Sequence, residues 1–140
     1  MVNYTDSKPK IANCIFWGNS PDEIYLDGKS NPEITYSNIQ GGWPGKGNID
    51  TNPLFVDPNN GDYHLKSQAG RWNINIYEWV HDDMTSPCID AGDPNSPLEN
   101  ELLYIPDDPN NPNVNNSTIN MGAYGGTTEA SFAPYDPNLQ

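Results

Sequence analysis

The stretch PKIANCIFWGN at residues 9–19 returns 23 positions later as PEITYSNIQGG at residues 32–42. Pro9 falls on Pro32, Ile11 on Ile34, Cys14 on Ser37, Phe16 on Ile39 and Gly18 on Gly41, so apolar, small and turn positions recur together. A fixed period of roughly 20 to 50 residues marks a repeat array in which each copy supplies one layer of a stack. Between the copies lies a third extended segment, EIYLD at 23–27, set off by Asn19, Ser20 and Pro21 before it and by residues 28–32 after it. Short apolar segments parted by such turn clusters read as strands. No ten-residue window here places apolar residues at helical spacing without a Pro or Gly breaking it, which argues against helical repeats. The L-x-x-L-x-L frame of a leucine-rich repeat is missing as well. The expected architecture is an all-β, short parallel β-helix: a solenoid with irregular loops and a C-terminal cap.

Four segments in succession carry a resemblance: ANCIFWGNS, then GGWPGKGNIDTNPLFVDPNNGDYHL, then SPCIDAGDP, then INMGAYGGT. Together they resemble the C-terminal region of bacterial right-handed parallel β-helix repeat proteins, over about residues 9 to 128. The resemblance implies a right-handed coil and a secreted or cell-surface location. It says less about chemistry, because β-helices include surface proteins without known activity as well as polysaccharide lyases and hydrolases. The chain departs from the pattern in having almost none of the upstream coils and in its Asp/Asn/Pro-rich stretch at 106–117.

The expected organisation is a polar lead-in at 1–8, with a strand that pairs elsewhere, coils at 9–128 with insertions at 68–84 and 106–117, and a tail at 129–140. Later strands are expected at 53–57, 63–66, 87–90 and 119–124, and 41–48 reads as a wide loop. Ile11, Ile15 or Phe16, Ile24, Leu26, Ile34, Ile39, Leu54, Val56, Leu65 and Ile89 are the candidate core. The 14 Pro, 12 Gly and 20 Asn belong in turns, through fixed φ, positive φ and side-chain bonds to the backbone. Fifteen aromatic residues argue against disorder, save at 106–117 and the last six residues.

A formal charge of -13, with only six basic residues scattered along the chain, argues against nucleic acid as a partner. It also disfavours an anionic membrane surface, and no apolar run is long enough to span a bilayer. Met1 to Pro9 is polar, so any export signal is expected to have been removed or to lie on a longer precursor. Cys14 and Cys88 read either as a disulfide of an oxidising compartment or as small buried residues. No Cys/His cluster of zinc-ligand spacing occurs.

Several residues are candidates for chemistry, each with a plainer alternative. Asp57, Asn59 and Asp62 in DPNNGD, and Asp90 and Asp93 in CIDAGDP, offer oxygen ligands of the kind Ca²⁺ takes. The same residues suit tight turns. Trp17, Trp43, Trp72 and Trp79, with Tyr77, are candidates for stacking on sugar rings, or else cover core and coil ends. Asn3, Asn115 and Asn116 match the glycosylation acceptor pattern. His64 and His81 have no Ser or Cys in a nucleophile setting beside them, so no catalytic residue is nominated.

Repeat units bury their faces only against neighbours, and exposed ends need caps. A credible cap exists at the C-terminal end and none at the N-terminal end. The expected function is therefore that of a non-catalytic extracellular structural or adhesive module that self-assembles head to tail into filaments, its partners being other copies of itself or a longer β-helix chain. The alternatives are a stabilising part of a carbohydrate-active β-helix enzyme and a glycan-binding module.

Overall fold

The computed structural model describes residues 1–3, 6–105 and 116–135, and what it describes is all-β. Six short strands come first: β1 (Val2–Asn3), β2 (Lys10–Ala12), β3 (Ile15–Phe16), β4 (Tyr25–Leu26), β5 (Glu33–Thr35) and β6 (Asn38–Ile39). β1 pairs with β4, β2 with β5 and β3 with β6, all parallel. The three registers share one offset: Val2 lies against Tyr25, Ile11 against Ile34, and Phe16 against Ile39, each 23 residues apart. The sequence echo is thus a structural register, and Ile11 and Ile34 stack on one face. Ile34 and Ile39 are buried, and Ile11 is half-buried.

Corners recur with the same period. Asn13 (φ 59) and Tyr36 (φ 46) both take left-handed backbone, and the Asn13 N–H donates to the Tyr36 carbonyl at 3.1 Å. Gly18 (φ 76) and Gly41 (φ 88) repeat a turn that a side chain would strain. A third layer begins as a single parallel bridge of Asn38 to Ile49. It arrives after 11 residues because the 41–48 loop folds flat on β5, and a Cβ on Gly45 would run into the Ile34 carbonyl. Asn38, fully buried, ties this layer on by accepting from Thr51 N–H at 3.1 Å and donating to the Thr51 carbonyl at 2.6 Å.

Beyond Asp50 the parallel pattern ends. β7 (Phe55–Asp57) and β8 (Asp62–Leu65) form an antiparallel hairpin around a 3₁₀ turn at Pro58–Asn60, and β9 (Arg71–Asn73) and β10 (Glu78–Val80) form another. The second hairpin falls within residues 68–84. The strands expected at 87–90 and 119–124 are turns instead. Pro87 lacks the donor a ladder needs, Asp90 is left-handed (φ 53), and the two segments share one backbone–backbone bond, Met121 N–H to the Cys88 carbonyl, beside a side-chain bond from the Asp90 N–H to Asn120 Oδ1.

The core lies where these turns close over the hairpins. Leu65, Cys88, Ile89 and Met121 form one cluster with Ile15 and Phe55 against it, and Ala69, Ile105 and Phe132 form a second with Trp79. Ile24, Leu26, Leu54 and Val56, expected inside, are only half-buried. Residues 131–132, expected to be tail, are instead buried, with Ser131 Oγ donating to the Leu65 carbonyl and Phe132 N–H to the Gly70 carbonyl.

Candidate functional site

The four tryptophans separate to three places. Trp17, at the end of β3, lines a half-open cleft of about 460 Å³ with Cys14, Ile15, Phe55, Tyr63 and Ala123. The fold brings Phe55 and Tyr63 there because they stand on the facing strands β7 and β8, with their rings edge-on at 5.2 Å. Trp43 lines a smaller groove of about 180 Å³ beside Asp22 and Ile39. Trp72 and Trp79 face each other across the β9–β10 hairpin at 5.5 Å, and Trp79 leans on Phe132 at 5.0 Å. Of the four, Trp17 therefore has the best-formed aromatic cleft around it.

The acidic turns are already engaged by protein donors. Asp57 accepts from Asn60 Nδ2 at 2.7 Å, and Asn59 stands exposed in the 3₁₀ turn. Asp62 is buried and accepts from the His64 N–H at 3.1 Å. Asp90 accepts from Ser117 Oγ at 3.0 Å and its N–H, and Asp93 from the Asn95 N–H at 2.9 Å. Local turn donors thus engage Asp57, Asp62 and Asp93, whereas Asp90 is engaged by Ser117 from 27 residues away. Among the described residues no group of three His, Cys, Asp or Glu side chains is arranged to hold a metal ion.

His64 is among the most enclosed polar side chains. Its ring is fully buried, with Nδ1 2.7 Å from Asp62 Oδ1 and Nε2 3.0 Å from Glu129 Oε2, and it stacks on Tyr124 with centroids 3.6 Å apart. A carboxylate thus faces each ring nitrogen. Burial pushes the Tyr124 phenol up, and the Asp62 and Glu129 charges push it further in the same direction. With no nucleophile in this set, the ring clamps β8 to the 124–129 segment. Glu129 was missed in the sequence because it lies 65 residues from its partner and has no local motif.

The structure also gathers what the sequence scatters. Lys8, Lys10 and Lys46 rim one groove of about 660 Å³ floored by Pro32, Thr35 and Pro44. Half of the chain's basic residues stand there, with Glu33 the one acidic side chain, 3.6 Å from Lys10.

Among the acceptor asparagines, Asn116 is buried, donating to the Leu102 carbonyl and accepting from the Ala133 N–H. Asn3 lies in β1, and Asn115 falls outside the described residues, as does most of the 106–117 insertion. Cys14 and Cys88 are both free thiols. No helix is long and apolar enough to cross a membrane, among the described residues.

Residues 30–92 match the family model described as "Disaggregatase related". The matched segment runs from the second coil through both hairpins to Gly92 and holds Trp43, Trp72, Trp79 and His64. It leaves out β1 to β4 and Trp17 on one side, and Tyr124 and Glu129 on the other. The match is thus to a disaggregatase-related family, in place of the β-helix repeat family whose motifs the sequence resembles. No curated protein and no solved structure matches the chain.

Proposed function

We propose that the chain is a non-catalytic structural module of the β-helix type, located outside the cell or on its surface, that associates through its first coil with other copies or with a longer β-helix chain. One observation carries this reading: among the described residues β1, β2 and β3 each pair on one side only, at a common offset of 23 residues. Pro9 and Asn13 direct their backbone groups toward the second coil. The alternation of a parallel strand then turns those of Lys10 and Ala12 outward. The Ala12 carbonyl meets the Cys14 thiol, a weak donor. Such an edge takes an incoming strand by β-augmentation.

Sedimentation in high salt tests this, because backbone pairing survives screening. The intact protein should sediment as more than a monomer, and deletion of residues 1–8 should reduce that association while near-ultraviolet circular dichroism of the later hairpins persists. If both proteins are monomers at high concentration, the assembly reading is dropped.

The cleft around Trp17 favours a second reading as a glycan-binding module. Flat rings on β3, β7 and β8 line a half-open apolar cleft, the shape small ligands use. The disaggregatase-related match is compatible with this module sitting within or beside a protein that takes aggregates apart, as a stabilising part. Titration with neutral and acidic oligosaccharides should change tryptophan fluorescence, and Trp17→Ala should abolish the change. An unaltered response in that variant moves the contact elsewhere.

A further inference from the structure

Two surface features have no role within the chain's own fold. The first is the tip of the β9–β10 hairpin, where Ile74, Ile76 and Tyr77 are exposed at 38%, 53% and 76%. Glu78 stands exposed beside the tip, and Asp83 stands exposed at the base of the hairpin. The hairpin is held rigidly at its base: Arg71 donates from Nε and NH2 to both Asp82 oxygens at 2.8 and 2.9 Å, and Trp79 packs on Phe132. The finger is therefore fixed while its apolar end stays in water. The second is the lysine-rimmed groove. Lys8 and Lys46 have no ion-pair partner among the described residues, and three lysines against Glu33 leave a local excess of two positive charges on a strongly acidic protein.

The two features are complementary. Ile76 and Tyr77 match an apolar floor of prolines, and Glu78 and Asp83 match the lysine rim. Copies that each carry a charge of -13 repel one another. An attractive local pairing of opposite charges offsets that repulsion at short range. We infer that the β9–β10 hairpin of one copy docks into the Lys8–Lys10–Lys46 groove of the next, a heterologous contact that orients head-to-tail assembly. The inference rests on the reading that copies associate. A single finger in a groove covers less than a standard interface, so the contact is weak and salt-dependent.

Charge exchange tests it. Sedimentation at low and high salt is compared for the wild type, for a groove variant (Lys8→Glu, Lys10→Glu, Lys46→Glu) and for a finger variant (Glu78→Lys, Asp83→Lys), with thermal melts to show that all are folded. Each variant alone should lose the salt-sensitive association. An equimolar mixture should regain a salt-sensitive complex, since the finger variant's lysines meet the groove variant's glutamates. Tyr77→Ser, which leaves charge untouched, should weaken wild-type association as well. Salt-independent assembly unaffected by either variant overturns the inference while leaving edge pairing standing. Monomers at both salts overturn both. Association of wild-type monomers with added poly-glutamate or an anionic polysaccharide, without self-association, assigns the groove to another partner and also overturns it.

Discussion

Replacing Ile34 with Ala probes the 23-residue register most directly. Ile34 is 1% exposed and lies in register with Ile11 of the preceding coil. The change deletes three carbons, worth about 0.8 kcal/mol each in transfer free energy, and leaves a cavity that raises the cost into the range of about 2–5 kcal/mol. Collapse around the site is restricted, because the 41–48 loop sits on the Ile34 backbone with no room for a side chain at Gly45. A cost near 3 kcal/mol is therefore expected, about a 10 °C fall in melting temperature for a domain of this size. Ile11→Ala, at a half-buried position, should cost about half as much. Ile76→Ala, at 53% exposure, should change stability by less than about 0.5 kcal/mol. Urea unfolding of the three single variants and of the Ile11/Ile34 double variant measures both the costs and their coupling. A coupling of about 0.5 kcal/mol or more is the mark of a contact. An Ile34→Ala cost below about 1 kcal/mol, or strict additivity with Ile11→Ala, would refute the stacking.

Acidification should first stabilise and then destabilise the protein. Burial raises the Asp90 and Glu101 carboxyls, despite backbone donors to each, and the Asp90 charge adds to the effect at Glu101. The folded chain therefore takes up protons at these sites before the unfolded chain does. Their contribution is full below the unfolded values and fades as pH rises through the raised folded ones. At Asp82 burial pushes upward too, but donation from Arg71 and the Ser67 N–H outweighs it and the carboxyl is held low, so that contribution is lost only as pH falls through the depressed value. Melting temperature should rise as pH falls from neutral through the raised Asp90 and Glu101 values and fall in stronger acid as Asp82 protonates, with Glu101→Gln flattening the rise. A steady fall from neutral downward contradicts the assignment. Thiol titration without reductant should find two thiols per denatured chain. In the native state Cys88, fully buried with its thiol raised by burial, should not react, and Cys14, half-buried in the Trp17 cleft, should react slowly. Fewer than two thiols would establish a disulfide.

Periodicity by itself determined the first third of this protein. The recurrence of Pro9, Ile11, Phe16 and Gly18 at a spacing of 23 predicts two parallel pairings, β2 with β5 and β3 with β6, because strands meet in register when their apolar and turn residues coincide, whereas β1 and β4 pair at the same offset from outside the echo. The acidic turns were legible for a similar reason, since Asx and Pro-Asn-Asn-Gly chemistry is local and needs only neighbouring residues. Tertiary structure alone decided the rest. PCID at 87–90 reads as a strand, yet its backbone is bent at Asp90 and its apolar residues meet Met121 and Leu65 as a turn. The Asp62–His64–Glu129 clamp and the Lys8–Lys10–Lys46 groove join residues from distant parts of the chain. The exposed finger at 74–77 has the composition of a buried segment, and only its distance from both core clusters leaves it in water. A sequence states the preferences of each segment, whereas the charge and apolar surface a partner meets depend on how segments close over one another.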